Sequence, residues 1–297
     1  MKILCIGQAS YDITLVLEKF PLENTKNDIF HRIECGGGTS SNPAYLLGKW
    51  GMDVSFMGTI GDDLYGKKIL KEFISVDVDT TYLEVKESET TTSFVLANQE
   101  KGTRTIFTHR SKELLSNDFL DFEPDIILTD GKEYKATKNI LNRYPSAISV
   151  LDAGKNTEEV YDLCTQVDYI VASKDFAEKA TNLKFVPNDS NSFVHIYNLL
   201  FMKFKKELVI TLEEDGCLYR KDGILKRMPT IKVHVKDSTG AGDFFHAAFV
   251  YGIAKGYPYE TVLKLANVTA SLSLRNIGSR YSVPEKEEVK EILHEFE

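Results

Sequence analysis

Short apolar runs alternate along this chain with longer amphipathic stretches. The runs at 3–7, 54–58, 126–129, 147–151, 169–172 and 208–212 are continuous enough to be strands buried on both faces. Between them, 41–50, 64–73, 137–143, 157–166, 192–203 and 259–275 carry apolar residues at helical spacing. The alternation predicts an α/β fold with a mostly parallel central sheet and helices on both faces, a three-layer sandwich. Segments 11–17, 28–34 and 90–97 break it by alternating polar with apolar residues, and 103–109 follows closely. They predict half-exposed strands, inserted at about 11–35 and 90–109, that build a small separate sheet suited to a lid or a dimer contact. No internal repeat, low-complexity tract or long linker interrupts the pattern, so one domain over 1–297 is expected. The acidic run 285–297 reads as a solvated helix.

Composition narrows this picture little. Hydrophobic residues at 42% and charged residues at 27% fit a globular chain with a large core. The net charge of −8 argues against general nucleic-acid binding, which needs a basic face. Cys5, Cys35, Cys164 and Cys217 are widely scattered, so reduced thiols and a cytoplasmic location are expected. The first apolar run is too short for a signal peptide, and no stretch reaches membrane-spanning length.

Candidate chemistry starts at Asp237-Ser238-Thr239-Gly240-Ala241-Gly242-Asp243, which leads into the apolar run 244–254. Small residues at 240–242 leave backbone N–H groups uncovered where a helix begins, a ready anion site. An acid beside an anion site suits phosphoryl transfer to a hydroxyl; the alternative is an ordinary loop before an Asp-capped helix.

Gly36-Gly37-Gly38 permits close approach of a ligand or another backbone, and Asn42 can donate to and accept from hydroxyls. The segment is neither a Walker loop nor a dinucleotide fingerprint, and a tight turn into a capped helix also explains it. Asp12 follows the first strand, where an acid can bind sugar hydroxyls or cap a turn. Segment 58–66 ends another strand, with Asp62 or Asp63 as helix cap. The histidines lack zinc spacing; His246 lies one turn after Asp243.

Together these stretches resemble the ribokinase-like family of carbohydrate kinases, the phosphofructokinase-B type, over essentially the whole chain. Its N-terminal signature is matched by 36–66 and its C-terminal one by 237–250. The resemblance implies a ribokinase-like fold with a β-sheet lid, and ATP-dependent phosphorylation of a small sugar. It implies Asp243 as base and Gly240, Ala241 and Gly242 as anion hole. It implies Asp12, Gly37 and Asn42 as sugar contacts, with Arg104 either on substrate or in a lid ion pair. Ser173, Thr211, Gly216 and Asn267 fall at the ATP pocket, and Asp237, Thr239 and Ser282 at a monovalent-cation (K⁺) site. A homodimer through the lid sheet follows by analogy.

One departure concerns Mg²⁺. Many members carry Asn-x-x-Glu where this chain reads Ser173-Lys174-Asp175-Phe176, so Asp175 or Glu178 would act through water. The Ser-Lys-Asp run and Gly102-Thr103-Arg104 are similar to ketohexokinase-like members, which favours a ketohexose. A nucleoside kinase would use Phe30, Tyr11 and Phe107 as a clamp. A phosphosugar kinase would use Arg32, Arg104 and Arg110. A non-catalytic sugar-binding regulator is the remaining alternative.

Overall fold

The computed structural model describes residues 1–29, 31–101, 103–187 and 189–294. Phe30, Gly102 and the tail from 295, all invoked in the sequence reading, lie outside them. The first half of the chain contains β1 (Lys2–Ile6), β2 (Ser10–Leu17), β3 (His31–Gly37), α1 (Ser41–Lys49), β4 (Asp53–Gly61), α2 (Leu64–Ile74), β5 (Leu83–Lys86), β6 (Thr92–Asn98), β7 (Thr103–His109) and β8 (Ile126–Thr129). There follow α3 (Tyr134–Arg143), β9 (Ile148–Ala153), α4 (Glu158–Cys164), β10 (Tyr169–Ser173), α5 (Lys174–Thr181), α6 (Ser190–Phe204) and β11 (Glu207–Thr211). The chain continues with β12 (Cys217–Lys221), β13 (Ile224–Met228), α7 (Ala241–Ala254), α8 (Tyr259–Ser273) and α9 (Lys286–His294).

The main sheet has nine strands in the order β13-β12-β11-β10-β9-β8-β1-β4-β5. Pairing is parallel from β11 to β5, and β12 and β13 turn back antiparallel at one edge. The two-residue period of β1 divides its side chains between the faces. Ile3 and Cys5 join the core under α1, α2, α7, α8 and α9, whereas Leu4 and Ile6 face the layer carrying α3. Helices α4, α5 and α6 cover the same second face over β9 to β11. This is the ribokinase-like three-layer α/β arrangement. Helix α7 is buried all round from Phe244 to Gly252, which is why its sequence lacks a polar stripe.

A second sheet of four strands, β3-β2-β6-β7, stands apart from the first. Its inner strand β2 is more buried than its alternating sequence suggests. Tyr11 and Ile13 enter the main core, and the Asp12 and Thr14 side is covered as well. Edge strand β7 is the exposed member. Helix α9 also departs from the solvated reading: Val289 is fully buried, and Ile292 and Leu293 pack on the core. Its charges occupy only the outward face.

Candidate active site

Two helix N-termini meet at the carboxyl edge of the main sheet. Helix α1 starts after the Gly36–Gly38 turn, which is pinned when Ser41 N donates to Gln8 O and Asn42 N to Gly38 O. Helix α7 starts at Gly240, whose positive φ of 82° suits glycine, and the space a Cβ on Gly242 would take is open. The first α7 amides have no intrahelical acceptor, so they form a cradle open to an anion. Between the helices, Asn42 Nδ2 donates to Asp243 Oδ2 over 2.7 Å. Asn42 is 1% exposed, and its Oδ1 is buried without a partner. A buried amide oxygen of this kind calls for a donor, and a hydroxyl supplies one.

Only part of Asp243 reaches solvent. Burial pushes its carboxyl well above the ordinary carboxylate range; the charges of Asp152 and Asp12 add to the rise, while Asn42 and Arg104 oppose it. His246 bridges behind it, with ring nitrogens 2.6 Å from Gly242 O and 3.2 Å from Val171 O, and 3.6 Å from Asp152. It thereby ties the first turn of α7 to β10.

The second sheet closes over these groups. Its register aligns Cys35, Asp12, Ser93 and Thr108 across four strands, and puts Arg104 two rows away on the same face. Arg104 Nη1 donates to Ser238 Oγ, three residues before Ala241. Asp12 accepts from Ser10 Oγ at 3.0 Å and Ser279 Oγ at 3.5 Å, and a side chain on Gly37 would collide with its carboxylate. Burial pushes the Asp12 pKa up to about 6, against hydrogen bonds from Ser10 and Ser93 and the charge of Arg280. Arg280 donates to Glu72 at 2.6 Å and Ser41 Oγ at 2.5 Å, and Glu72 accepts from Gly36 N, so one buried ion pair braces the glycine turn.

Two of the three aromatic residues weighed as a nucleoside clamp, Tyr11 and Phe107, lie off the face that carries Asp12 and Arg104, and Phe30 lies outside the described residues. Tyr11 is 3% exposed, stacked on Tyr65 with Lys68 above it, and strand alternation puts Phe107 on the face opposite Arg104. Of the three lid arginines, Arg32 is tied to Glu34 and Arg104 to Ser238.

Ser173, Thr211, Gly216 and Asn267 lie farther along the same edge. Ser173 pairs in register with Thr211 and caps α5, accepting from Phe176 N at 3.1 Å. Thr211 Oγ1 donates to Ala172 O, and Asn267 Nδ2 faces Cys217 Sγ and Met228 O. Gly216, with φ 84°, sits where a side chain would strike Met228 O, so its glycine serves the turn into β12. Asp237, Thr239 and Ser282 also come together. Asp237 accepts from Thr239 N, Thr239 Oγ1 and Gly278 N, and Ser282 Oγ donates to Ser279 O. These bonds close the 278–282 loop over residues 237–239 before α7.

The residues weighed for Mg²⁺ are turned elsewhere. Asp175 pairs with Lys179 at 2.7 Å, Glu178 with Lys184 and Phe185 N, and Phe176 is buried against Tyr161. Among the described residues no group of three or more His, Cys, Asp or Glu is arranged to hold a metal. The side chains present therefore do not form a cage that holds Mg²⁺ by protein groups alone. Asp63, not Asp62, caps α2, accepting from Gly66 N at 2.8 Å. Sequence reasoning missed Gln8, Ser93, Thr108, Asp130, Asp152, Lys155 and Ser279, which reach the site only through register or loop closure. Gln8, Asp130 and Lys155 alone carried a signal, their position just after the ends of β1, β8 and β9.

The fold is that of the ribokinase-like α/β kinases, and in it two helix N-termini, the acid Asp243 and the second sheet converge at one edge of the main sheet. Residues 1–286 match the description of the pfkB family carbohydrate kinases, and the chain belongs to that family. It is an ATP-dependent carbohydrate kinase, transferring phosphate to an alcohol group. It is 27% identical to a ribokinase of Bacillus subtilis (strain 168), with 99% of this chain and all of that one covered. A 5-dehydro-2-deoxygluconokinase of Listeria innocua is 26% identical, covering 98% of this chain and 95% of that one. The solved structure of Arabidopsis thaliana ribokinase complexed with ribose and ATP shares the fold, with a TM-score of 0.79, 21% identity and 98% of both chains covered. Among the described residues no helix is long and apolar enough to cross a membrane.

Proposed function

We propose that this kinase transfers the γ-phosphoryl group of ATP to a sugar hydroxyl held between the lid and the main sheet, with Asp243 as general base. The observation that carries the reading is the Asn42–Asp243 hydrogen bond at the junction of two helix N-termini. The hydroxyl donates its proton to Asp243 as its oxygen attacks the γ-phosphorus in line; the bond to the bridging oxygen breaks and ADP leaves. Amides of Gly240, Ala241 and Gly242 receive the charge that builds on the transferred group. Arg104, fixed on Ser238, covers it from the lid. Asp12 and the free Asn42 Oδ1 take acceptor hydroxyls, and the β10–β12 edge with Ser173, Thr211 and Asn267 takes the nucleotide.

Raised by burial, the Asp243 carboxyl must lose its proton before it can act, so turnover falls with pH well above the ordinary carboxylate range. The Ser173–Asp175 run that favoured a ketohexose is spent on capping α5 and on the Asp175–Lys179 pair, so acceptor choice belongs to the lid. We also propose that two copies pair along the exposed edge strand β7, where Ile106 and Phe107 are 44% and 58% exposed; a monomeric mass by light scattering would exclude it. ADP release measured over sugars, sugar phosphates and nucleosides tests the central reading. Acceptor-dependent release is expected, and binding without release would return the chain to the role of a silent sugar-binding protein.

A further inference from the structure

Two cations on the lid side of the site have no part in the scheme above. Arg110 follows β7 by one residue, and its Nη1 donates to Gln8 Oε1 over 2.9 Å. Lys155 comes from the loop after β9, and its Nζ lies 3.4 Å from the same oxygen. Gln8 is 9% exposed and fixed: its N–H donates to Asp130 Oδ2 at 2.9 Å and its carbonyl accepts from Ser41 N at the start of α1.

Among the described residues neither cation has a carboxylate within 4.0 Å. The nearby acids are engaged elsewhere. Asp130 accepts from Gln8 N, Thr39 Oγ1 and Lys132 N, and Asp152 faces His246. The two cations thus share one neutral amide oxygen without a direct ion pair, the Asp152 charge reaching Lys155 only at longer range, and an anion entering between them would pair with both. The guanidinium fork matches phosphate or carboxylate oxygens in pairs, and the ammonium adds a point charge.

We infer that the acceptor is an anionic sugar, whose phosphate or carboxylate lies between Arg110 and Lys155 over Gln8 while a hydroxyl faces Asp243. This rests on the kinase reading and names its substrate class. It also revises the set of lid cations: Arg32 and Arg104 are committed elsewhere, and Lys155, from outside the lid, completes the pair with Arg110.

The test compares fructose, fructose 1-phosphate, fructose 6-phosphate and gluconate as acceptors, by ADP release and by thermal unfolding, with inorganic phosphate as a further ligand in the melts. Wild type is set beside Arg110→Gln/Lys155→Gln. An anionic acceptor is expected to exceed fructose in kcat/KM, and the double variant to raise its KM about 10- to 100-fold with the KM for ATP unchanged. Better use of the fructose phosphates than of gluconate assigns a phosphate, and the reverse a carboxylate. A preference for fructose, or anion-dependent stabilisation that survives in the double variant, overturns the inference and leaves the kinase reading intact. Stabilisation by the anionic sugars that vanishes in the double variant, without ADP release from any acceptor, supports the anion site and removes the kinase reading.

Discussion

Asp12 holds its proton more tightly in the folded chain than in the unfolded one, and replacing it with asparagine makes that difference measurable. The side chain is 5% exposed, and burial lifts its pKa from 3.8 to about 6. A carboxyl whose folded pKa is raised supports the fold at low pH and withdraws that support as pH climbs through the folded value. A shift of about two units corresponds to about 3 kcal/mol, lost between about pH 4 and pH 7. Asp12→Asn keeps the shape and removes the ionisation. The hydroxyls of Ser10 and Ser279 can rotate to meet an amide. Urea unfolding at about pH 4.5 and about pH 7.5 should show the stability of the variant relative to wild type rising by about 2 kcal/mol from the lower pH to the higher. Burial similarly raises Asp152 and Glu133, which cancel because both proteins carry them, whereas Asp243, raised in part by the Asp12 charge, is relieved in the variant and adds to its advantage at the higher pH. The same substitution should weaken acceptor binding, since stability is given up there to hold a charge beside the sugar. A stability difference that does not change between the two pH values would refute the reasoning.

Asn42→Ala removes the hydrogen bond that favours ionised Asp243, so the acid limb of the kcat/KM profile should move to higher pH; an unmoved limb would separate the two residues functionally. Arg280→Met leaves Glu72 without its partner beneath the Gly36–Gly38 turn and should cost about 3 kcal/mol by urea unfolding, whereas a cost near zero would mean the turn holds without the pair.

How much was legible beforehand depended on range. The buried strands announce themselves because both faces of a parallel strand are apolar, and runs such as 126–129 coincide with the observed β8. The 237–243 segment is legible because an uncovered helix start followed by an acid is a local pattern. Asn42 and Asp243 could each be named from sequence, but not the hydrogen bond between them, since they are 201 positions apart. The polar row through Ser93 and Thr108 depends on strand register, which β2 and β6 acquire only by pairing across the intervening βα units. Lys155 and Gln8 look like ordinary loop residues until the sheet aligns their strands. The acidic tail misled because its charges dominate the composition, while three apolar positions decide that α9 docks.

The account turns on Asp243 as the proton acceptor. Asp243→Asn should fold, melt no lower than wild type and keep its nucleotide affinity, while single-turnover phosphorylation of the preferred acceptor slows by about 10²- to 10⁴-fold. A variant that transfers phosphate within about tenfold of the wild-type rate would contradict it.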